Sequence, residues 1–291
     1  MSPVVSPHIA LRFRVPIALE DNLQGFMLMQ MPLEGIEEAD GETCYYVKET
    51  EWTPAREQAL GLFLTSTPAI RFLGAESIED RDWSAEWRES VQPERATPQL
   101  VITPAWHKAA ALAMGAKYLI EIDPKMSFGT GHHETTRLCL RALETIECAG
   151  KTVLDLGTGT GVLAIYALMR GATSAIGVDT DRWSIENAEE NRGLNDFSPE
   201  QLDIRAGTLQ DAVGDAEVFD IILANIHRHV LLELAKDIRA HVRPGGFIIL
   251  SGLLSYDAVE VRAAYERAGF DFLARSEENE WDCLTFQFPI S

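Results

Sequence analysis

Four groups of residues carry chemistry by their type and spacing. The first is Asp155-Leu156-Gly157-Thr158-Gly159-Thr160-Gly161, an acid followed by three alternate glycines. Glycine is needed where the backbone takes dihedrals closed to other residues, or where a ligand approaches without a Cβ in the way. Thr152 to Leu154 lead in as a strand and Val162-Leu163-Ala164 lead out as a helix, so the amides of the turn face a polar ligand edge. The second is Asp179, closing the strand pattern Ala175 to Val178, 22 residues after Gly157. An acid at the end of the second strand is placed to accept hydrogen bonds from both hydroxyls of a ribose. The third is Asn225-Ile226, closing a further apolar run from Phe219 to Ala224. The fourth is the loop Phe128-Gly129-Thr130-Gly131-His132-His133-Glu134-Thr135-Thr136, whose glycines permit a tight approach to a ligand. Thr135 and Thr136 stand near the helix start that follows.

The spacing excludes some ligands. A dinucleotide site needs G-x-G-x-x-G, whereas here Gly161 follows Gly159 after a single residue and position 162 is Val. An NAD-dependent oxidoreductase therefore lacks its fingerprint. An acid followed by G-x-G-x-G resembles the first motif of class I S-adenosylmethionine-dependent methyltransferases. That resemblance implies a glycine loop under the methionine end of the cofactor and an acid facing its ammonium group, often through water. It also makes Asn225 the place where such enzymes hold a substrate nitrogen. The N-P-P-[YF] form used on planar amides is absent, since His227 and Arg228 follow Ile226; a tetrahedral alkyl amine is the better fit. The adjacent His132 and His133 do not share a face, and no H-x-x-x-H occurs, so no metal site is expected.

These residues need elements to position them. His8 to Val15 alternates as a strand, Pro16 to Gln30 reads as a helix, and Pro32 to Ile36 and Thr43 to Val47 read as strands joined at Asp40-Gly41. Thr53 caps a helix with Pro54 in its first turn, and Ala69 to Leu73 is another strand. The order β-α-β-β-α-β suggests a small α+β, ferredoxin-like domain over residues 1–84. A charged helix with Trp83 and Trp87 on one face, then Pro93, Pro98 and Pro104, mark a linker over 85–108. Residues 109–291 alternate strands and helices: an α/β, doubly wound, mostly parallel sheet covered on both faces, with an antiparallel C-terminal strand.

Composition narrows the classes further. With 46% hydrophobic and 24% charged residues, the 291-residue chain is that of a globular protein. No run approaches ~18 apolar residues and the start has no basic flank, so neither a membrane span nor a signal peptide is expected. Cys44, Cys139, Cys148 and Cys283 are scattered, which fits reduced thiols in a cytoplasmic protein. The net charge is −20, and residues up to Trp106 already hold 8 basic against 17 acidic side chains. Neither half offers the basic face of a general nucleic-acid binder. The charge attracts a basic protein partner; it equally serves solubility or adaptation to salt.

Taken together, the motifs resemble the PrmA family, the bacterial methyltransferases of protein eleven of the large ribosomal subunit. F-G-T-G-x-H-x-T-T at 128–136 is the most specific of them. D-L-G-T-G-T-G at 155–161, G-V-D-T-D at 177–181, A-N-I at 224–226, P-G-G at 244–246, L-S-G at 250–252 and E-W at 280–281 join it. D-W-x-x-x-W at 82–87 and P-x-W at 104–106 extend the likeness into the linker. Before residue 80 only the order of elements agrees, and Lys125 stands where the family usually has Gly. The resemblance implies a ferredoxin-like substrate domain, a linker and a methyltransferase domain. It implies S-adenosylmethionine as cofactor, bound by Phe128, Gly129, Thr136, Asp155, Gly157, Gly159, Gly161, Asp179 and Asn225. Thr135 and Asn225 would position the amine, and Phe128 and Thr135 belong to the loop that closes over the cofactor. The implied substrate is a lysine-rich ribosomal protein, methylated at lysine side chains and its N-terminal amine by a monomeric enzyme. Rival readings stay open: a methyltransferase of another protein, RNA or a small-molecule amine, or a module that binds the cofactor without turnover.

Overall fold

The structure, a computed structural model, describes residues 8–16, 19–39, 42–78, 91–123, 129, 131 and 133–290. The chain divides into two compact units, Met1–Ser90 and Val91–Ser291.

In the first unit, β1 (His8–Arg14), α1 (Glu20–Gln30), β2 (Gly35–Ala39), β3 (Glu42–Lys48), α2 (Pro54–Ser66) and β4 (Arg71–Ile78) follow one another. The strands form an antiparallel sheet in the order β2-β3-β1-β4, the ferredoxin-like arrangement. Strand alternation explains its core: Ile9, Leu11 and Phe13 of β1 are buried with Tyr45 and Val47 of β3, under Leu23, Met27 and Leu60 of the helices. Phe13 packs edge-on to Tyr45 with ring centroids 5.7 Å apart. The α2 start is as expected, with Thr53 Oγ1 accepting from the Arg56 N–H and Pro54 in the first turn. β4 runs on to Ile78, past the expected end at Leu73, because it pairs with the whole of β1. The turn at Asp40-Gly41 and the helix bearing Trp83 and Trp87 lie outside the described residues.

The second unit opens with β5 (Leu100–Thr103), α3 (Lys108–Ala113), β6 (Tyr118–Glu121) and α4 (Glu134–Glu144). Leu100–Thr103 falls in the stretch read as linker, yet it pairs in parallel with β6 and all four of its residues are buried. Then come β7 (Thr152–Leu156), α5 (Val162–Met169), β8 (Ser174–Asp179), α6 (Arg182–Leu194), β9 (Leu202–Ala206), α7 (Leu209–Ala212) and β10 (Phe219–Asn225). α8 (Arg228–His241), β11 (Val242–Leu254), α9 (Ala258–Arg267), β12 (Asp271–Glu278) and β13 (Trp281–Gln287) complete it. The seven-stranded sheet has the order β12-β13-β11-β10-β7-β8-β9. Its five strands from β11 to β9 are parallel, and β13 enters antiparallel between β11 and β12.

Successive strand residues face opposite sides, and both sides are covered. Val153, Ile221 and Ile249 pack with Leu138, Leu143, Ile165 and Tyr166 of α4 and α5. Their neighbours Leu154, Ile222 and Ile248 pack with Leu231, Val261 and Tyr265 of α8 and α9. Fully burying one such side chain is worth about 1.5–3 kcal/mol, so a sheet apolar on both faces cannot shed either layer of helices. β11 starts at Val242, ahead of the expected Phe247, because Val242 pairs with Phe219 of β10 and Gly245 and Gly246 exchange backbone hydrogen bonds with Phe288. The strand order reverses between β7 and β10, which places a ligand crevice at their carboxyl ends.

Candidate active site

That crevice exists. The carboxyl ends of β7, β8, β9 and β10 border a cleft of about 840 Å³ within the second unit, a size suited to a nucleoside-bearing ligand. β7 ends at Leu156, and the turn into α5 is fastened to β8: the amides of Gly157 and Thr158 both donate to the Val178 carbonyl, at 2.8 and 3.0 Å. Gly157 takes φ +69°, and a Cβ there would overlap Cγ2 of Ile226, so the turn and the end of β10 approach each other only through glycine.

Asp179 closes β8 on the cleft wall. Its Oδ2 accepts from the Gly159 amide at 2.9 Å and its Oδ1 from the Asp181 amide at 3.0 Å. Each carboxylate oxygen has capacity for a second donor, so both stay available to a vicinal diol. The next connection adds Thr208, Leu209 and Gln210; Thr208 caps α7 in a reciprocal box with Asp211. Asn225 ends β10 opposite Ser251, and its Oδ1 is buried without a hydrogen-bond partner. Leaving a buried acceptor unpaired costs about 1–3 kcal/mol, which a donor from a bound molecule would recover.

The remaining wall comes from the start of α4 and from β13. Thr135 is buried, and its amide donates to Nδ1 of His133 at 3.3 Å. The Thr135 hydroxyl lies 2.8 Å from the same nitrogen, and its oxygen, with two lone pairs, keeps acceptor capacity for a donor from the cleft. The His133 ring meets Trp281 edge-on at 4.9 Å, and both line the cleft. Arg137 holds this helix to β12 through Glu278, with Nε and Nη2 at 2.9 and 2.5 Å from Oε1.

Thr135, Gly157, Gly159, Asp179 and Asn225 thus come together on the cleft. Gly129, Thr136, Asp155 and Gly161 are buried and stay out of its lining. Asp155 supports the turn from within: Oδ2 accepts from Thr158 Oγ1 at 2.9 Å and from the Ala164 amide at 3.3 Å, while Oδ1 has no partner. Burial pushes its carboxyl up to about 7, against the pull of those two hydrogen bonds and with a further push from Asp179. Thr136 Oγ1 is likewise buried and unpartnered. Phe128 and Lys125 lie outside the described residues. Sequence reasoning passed over Thr208 to Gln210, although the capping pattern Thr208-x-x-Asp211 was there to mark a helix start after β9. It weighed His133 as a metal ligand and counted it in the 128–136 motif, and so missed its role beside Thr135.

A doubly wound sheet with its cleft at the carboxyl ends, a glycine turn under one wall and an acid closing the next strand define a class I methyltransferase domain. Comparison with known proteins narrows the class. The family model described as Ribosomal protein L11 methyltransferase (PrmA) matches residues 22–289. The ribosomal protein L11 methyltransferase of Chlorobaculum tepidum is 34% identical over 281 residues, 96% of each chain. That of Pseudomonas aeruginosa is 41% identical over 206 residues, 71% of this chain and 67% of its own. The crystal structure of ribosomal protein L11 methylase from Lactobacillus delbrueckii subsp. bulgaricus superposes with a TM-score of 0.61 at 28% identity, covering 68% of this chain and 99% of that one. The chain belongs to the PrmA family of ribosomal protein L11 methyltransferases.

Proposed function

We propose that this chain methylates protein eleven of the large ribosomal subunit, transferring methyl groups from S-adenosylmethionine to lysine side-chain amines and the N-terminal amine. The observation that carries the reading is the convergence of Asp179 and Asn225 on one cleft, in a chain of this family. The cleft fits the cofactor. The Asp179 carboxylate would hold the ribose hydroxyls, Leu156, Val178 and Leu209 offer apolar lining, and Asn225 Oδ1 is an unpaired acceptor.

When bound, S-adenosylmethionine supplies an activated methyl group with a neutral leaving group. The chain's own work is then to bind, orient and desolvate. A free lysine amine has a pKa of about 10.4 and must lose a proton before its lone pair can react. No described side chain is assigned as its base; loss to water from a partly desolvated cleft suffices in this reading. The Asn225 carboxamide oxygen and the Thr135 hydroxyl oxygen act as acceptors for the remaining N–H groups and so aim the lone pair. Orientation of this kind contributes several kcal/mol to a transfer step. The excess of acidic residues favours encounter with a lysine-rich protein, and such a substrate places the reaction in the cytoplasm.

The test is incubation of the chain and S-adenosylmethionine with purified, unmethylated protein eleven, followed by peptide mapping. Methyl groups on lysine side chains and the N-terminal amine are expected. Methyl groups only on other atoms, or none, would overturn the amine assignment.

A further inference from the structure

Helix α6 carries Asn187 and Asn191 and is closed by Asn195, three asparagines four residues apart along one face. Two of them are fully buried polar side chains, which need partners. What they bind is one piece of backbone. Asn195 Oδ1 accepts from the Glu121 amide at 2.9 Å and its Nδ2 donates to the Glu121 carbonyl at 2.7 Å. One turn back, Asn191 Oδ1 accepts from the Asp123 amide at 2.8 Å, and another turn back Asn187 Nδ2 donates to the Asp123 carbonyl at 3.1 Å. The side chains thus hold the two alternate residues 121 and 123 as a sheet neighbour would.

Asn191 does something its neighbours do not. Its Nδ2 donates to the backbone carbonyl of Thr160, inside the glycine turn, at 2.9 Å. Thr160 in turn donates its hydroxyl to the Gly129 carbonyl at 2.9 Å, and a Cβ on Gly129 would stand 2.7 Å from that hydroxyl oxygen. Asp123 precedes the most specific motif of the sequence, 128–136, and Gly129 is its second residue. One carboxamide therefore sets the glycine turn, and through Thr160 the Gly129 backbone, in register with Asp123.

We propose that Asn191 is a positioning residue for cofactor binding, holding the Thr160 carbonyl and the Asp123 amide so that the glycine turn and Gly129 keep the spacing the ligand requires. Asn195 makes three side-chain bonds of the same chemistry, two to the Glu121 backbone and one to the Asn191 carbonyl, but none to the turn, so it is the internal control. The proposal rests on the cofactor reading above, and the test separates the two.

S-adenosylhomocysteine is titrated calorimetrically into the unmodified chain and into Asn191→Ala, Asn195→Ala and Thr160→Val, with a thermal midpoint recorded for each. Absence of binding by the unmodified chain would overturn the cofactor reading and this role with it. With binding present, Asn191→Ala and Thr160→Val are expected to weaken it at least about tenfold. Asn195→Ala should lower the midpoint as much as Asn191→Ala while keeping affinity within about twofold. Equal loss of affinity in Asn191→Ala and Asn195→Ala, or unaltered affinity in Thr160→Val, would overturn the role and leave the cofactor site standing. Should Asn191→Ala fail to fold, the contrast between Thr160→Val and Asn195→Ala decides alone.

Discussion

The amide of Gly159 lies 2.9 Å from Oδ2 of Asp179, donating to it from the turn after β7 to the end of β8. One carboxylate thereby fixes the glycine turn and presents its remaining acceptor capacity to the cleft. The two motifs that sequence separates by twenty residues are a single polar unit in the fold.

Asp179→Ala removes that unit. Hydrogen bonds to a charged group are worth about 1.5–3 kcal/mol each, and a ribose would lose two. Affinity for S-adenosylhomocysteine should fall about 100-fold or more by calorimetry. A change of only a few-fold would show that the ribose is held elsewhere.

Asn225→Ala addresses transfer rather than binding. Its Oδ1 is buried and unpaired, so truncation removes no protein hydrogen bond and the thermal midpoint should move little. Single-turnover methyl transfer should slow about 100-fold. Near-normal turnover would remove Asn225 from the reaction.

Asp155 makes stability depend on pH. Its carboxyl rises from 3.8 to about 7 on folding, chiefly through burial. Below pH 3.8 folded and unfolded chains both hold the proton and the group costs nothing. As pH rises toward 7 the unfolded chain releases it while the folded chain keeps it, so stability is lost across that window and levels off above. Between pH 5 and 8 the loss amounts to about 2–3 kcal/mol. Urea unfolding of Asp155→Asn at both pH values should show its stability relative to the unmodified chain improving by about that amount. A pH-independent difference would contradict the burial account.

Gly157→Ala tests the contact between the turn and β10. The added Cβ meets Ile226 Cγ2 at a backbone φ of +69°, and clash plus strain should cost about 1–3 kcal/mol. Ile226→Ala relieves the clash and leaves the strain, so the double variant should be more stable than the two single losses summed. Strict additivity would mean the turn relaxes away from Ile226.

The layers of the fold were legible because their patterns are local. Alternation in Ile9, Leu11 and Phe13, the cap at Thr53 and the near-continuous apolar strands each declare an element within a few residues. The site was legible as far as its motifs end strands: Gly157, Asp179 and Asn225 reach the cleft because the carboxyl ends of parallel strands must. What stayed hidden depends on contacts between distant segments. Leu100–Thr103 is a strand only because β6 lies beside it, and β11 begins at Val242 because Phe219 pairs with it and Phe288 returns to Gly245 and Gly246. That Asp155 props the turn from behind, rather than lining the cleft, follows from its bonds to Thr158 and Ala164, which spacing alone does not reveal.

The most direct test of the central claim is transfer of labelled methyl groups from S-adenosylmethionine into an unmethylated mixture of bacterial ribosomal proteins, resolved by mass. The account predicts label in protein eleven of the large subunit, lost in Asn225→Ala. Label in a different protein, or binding of the cofactor with no label at all, would contradict it.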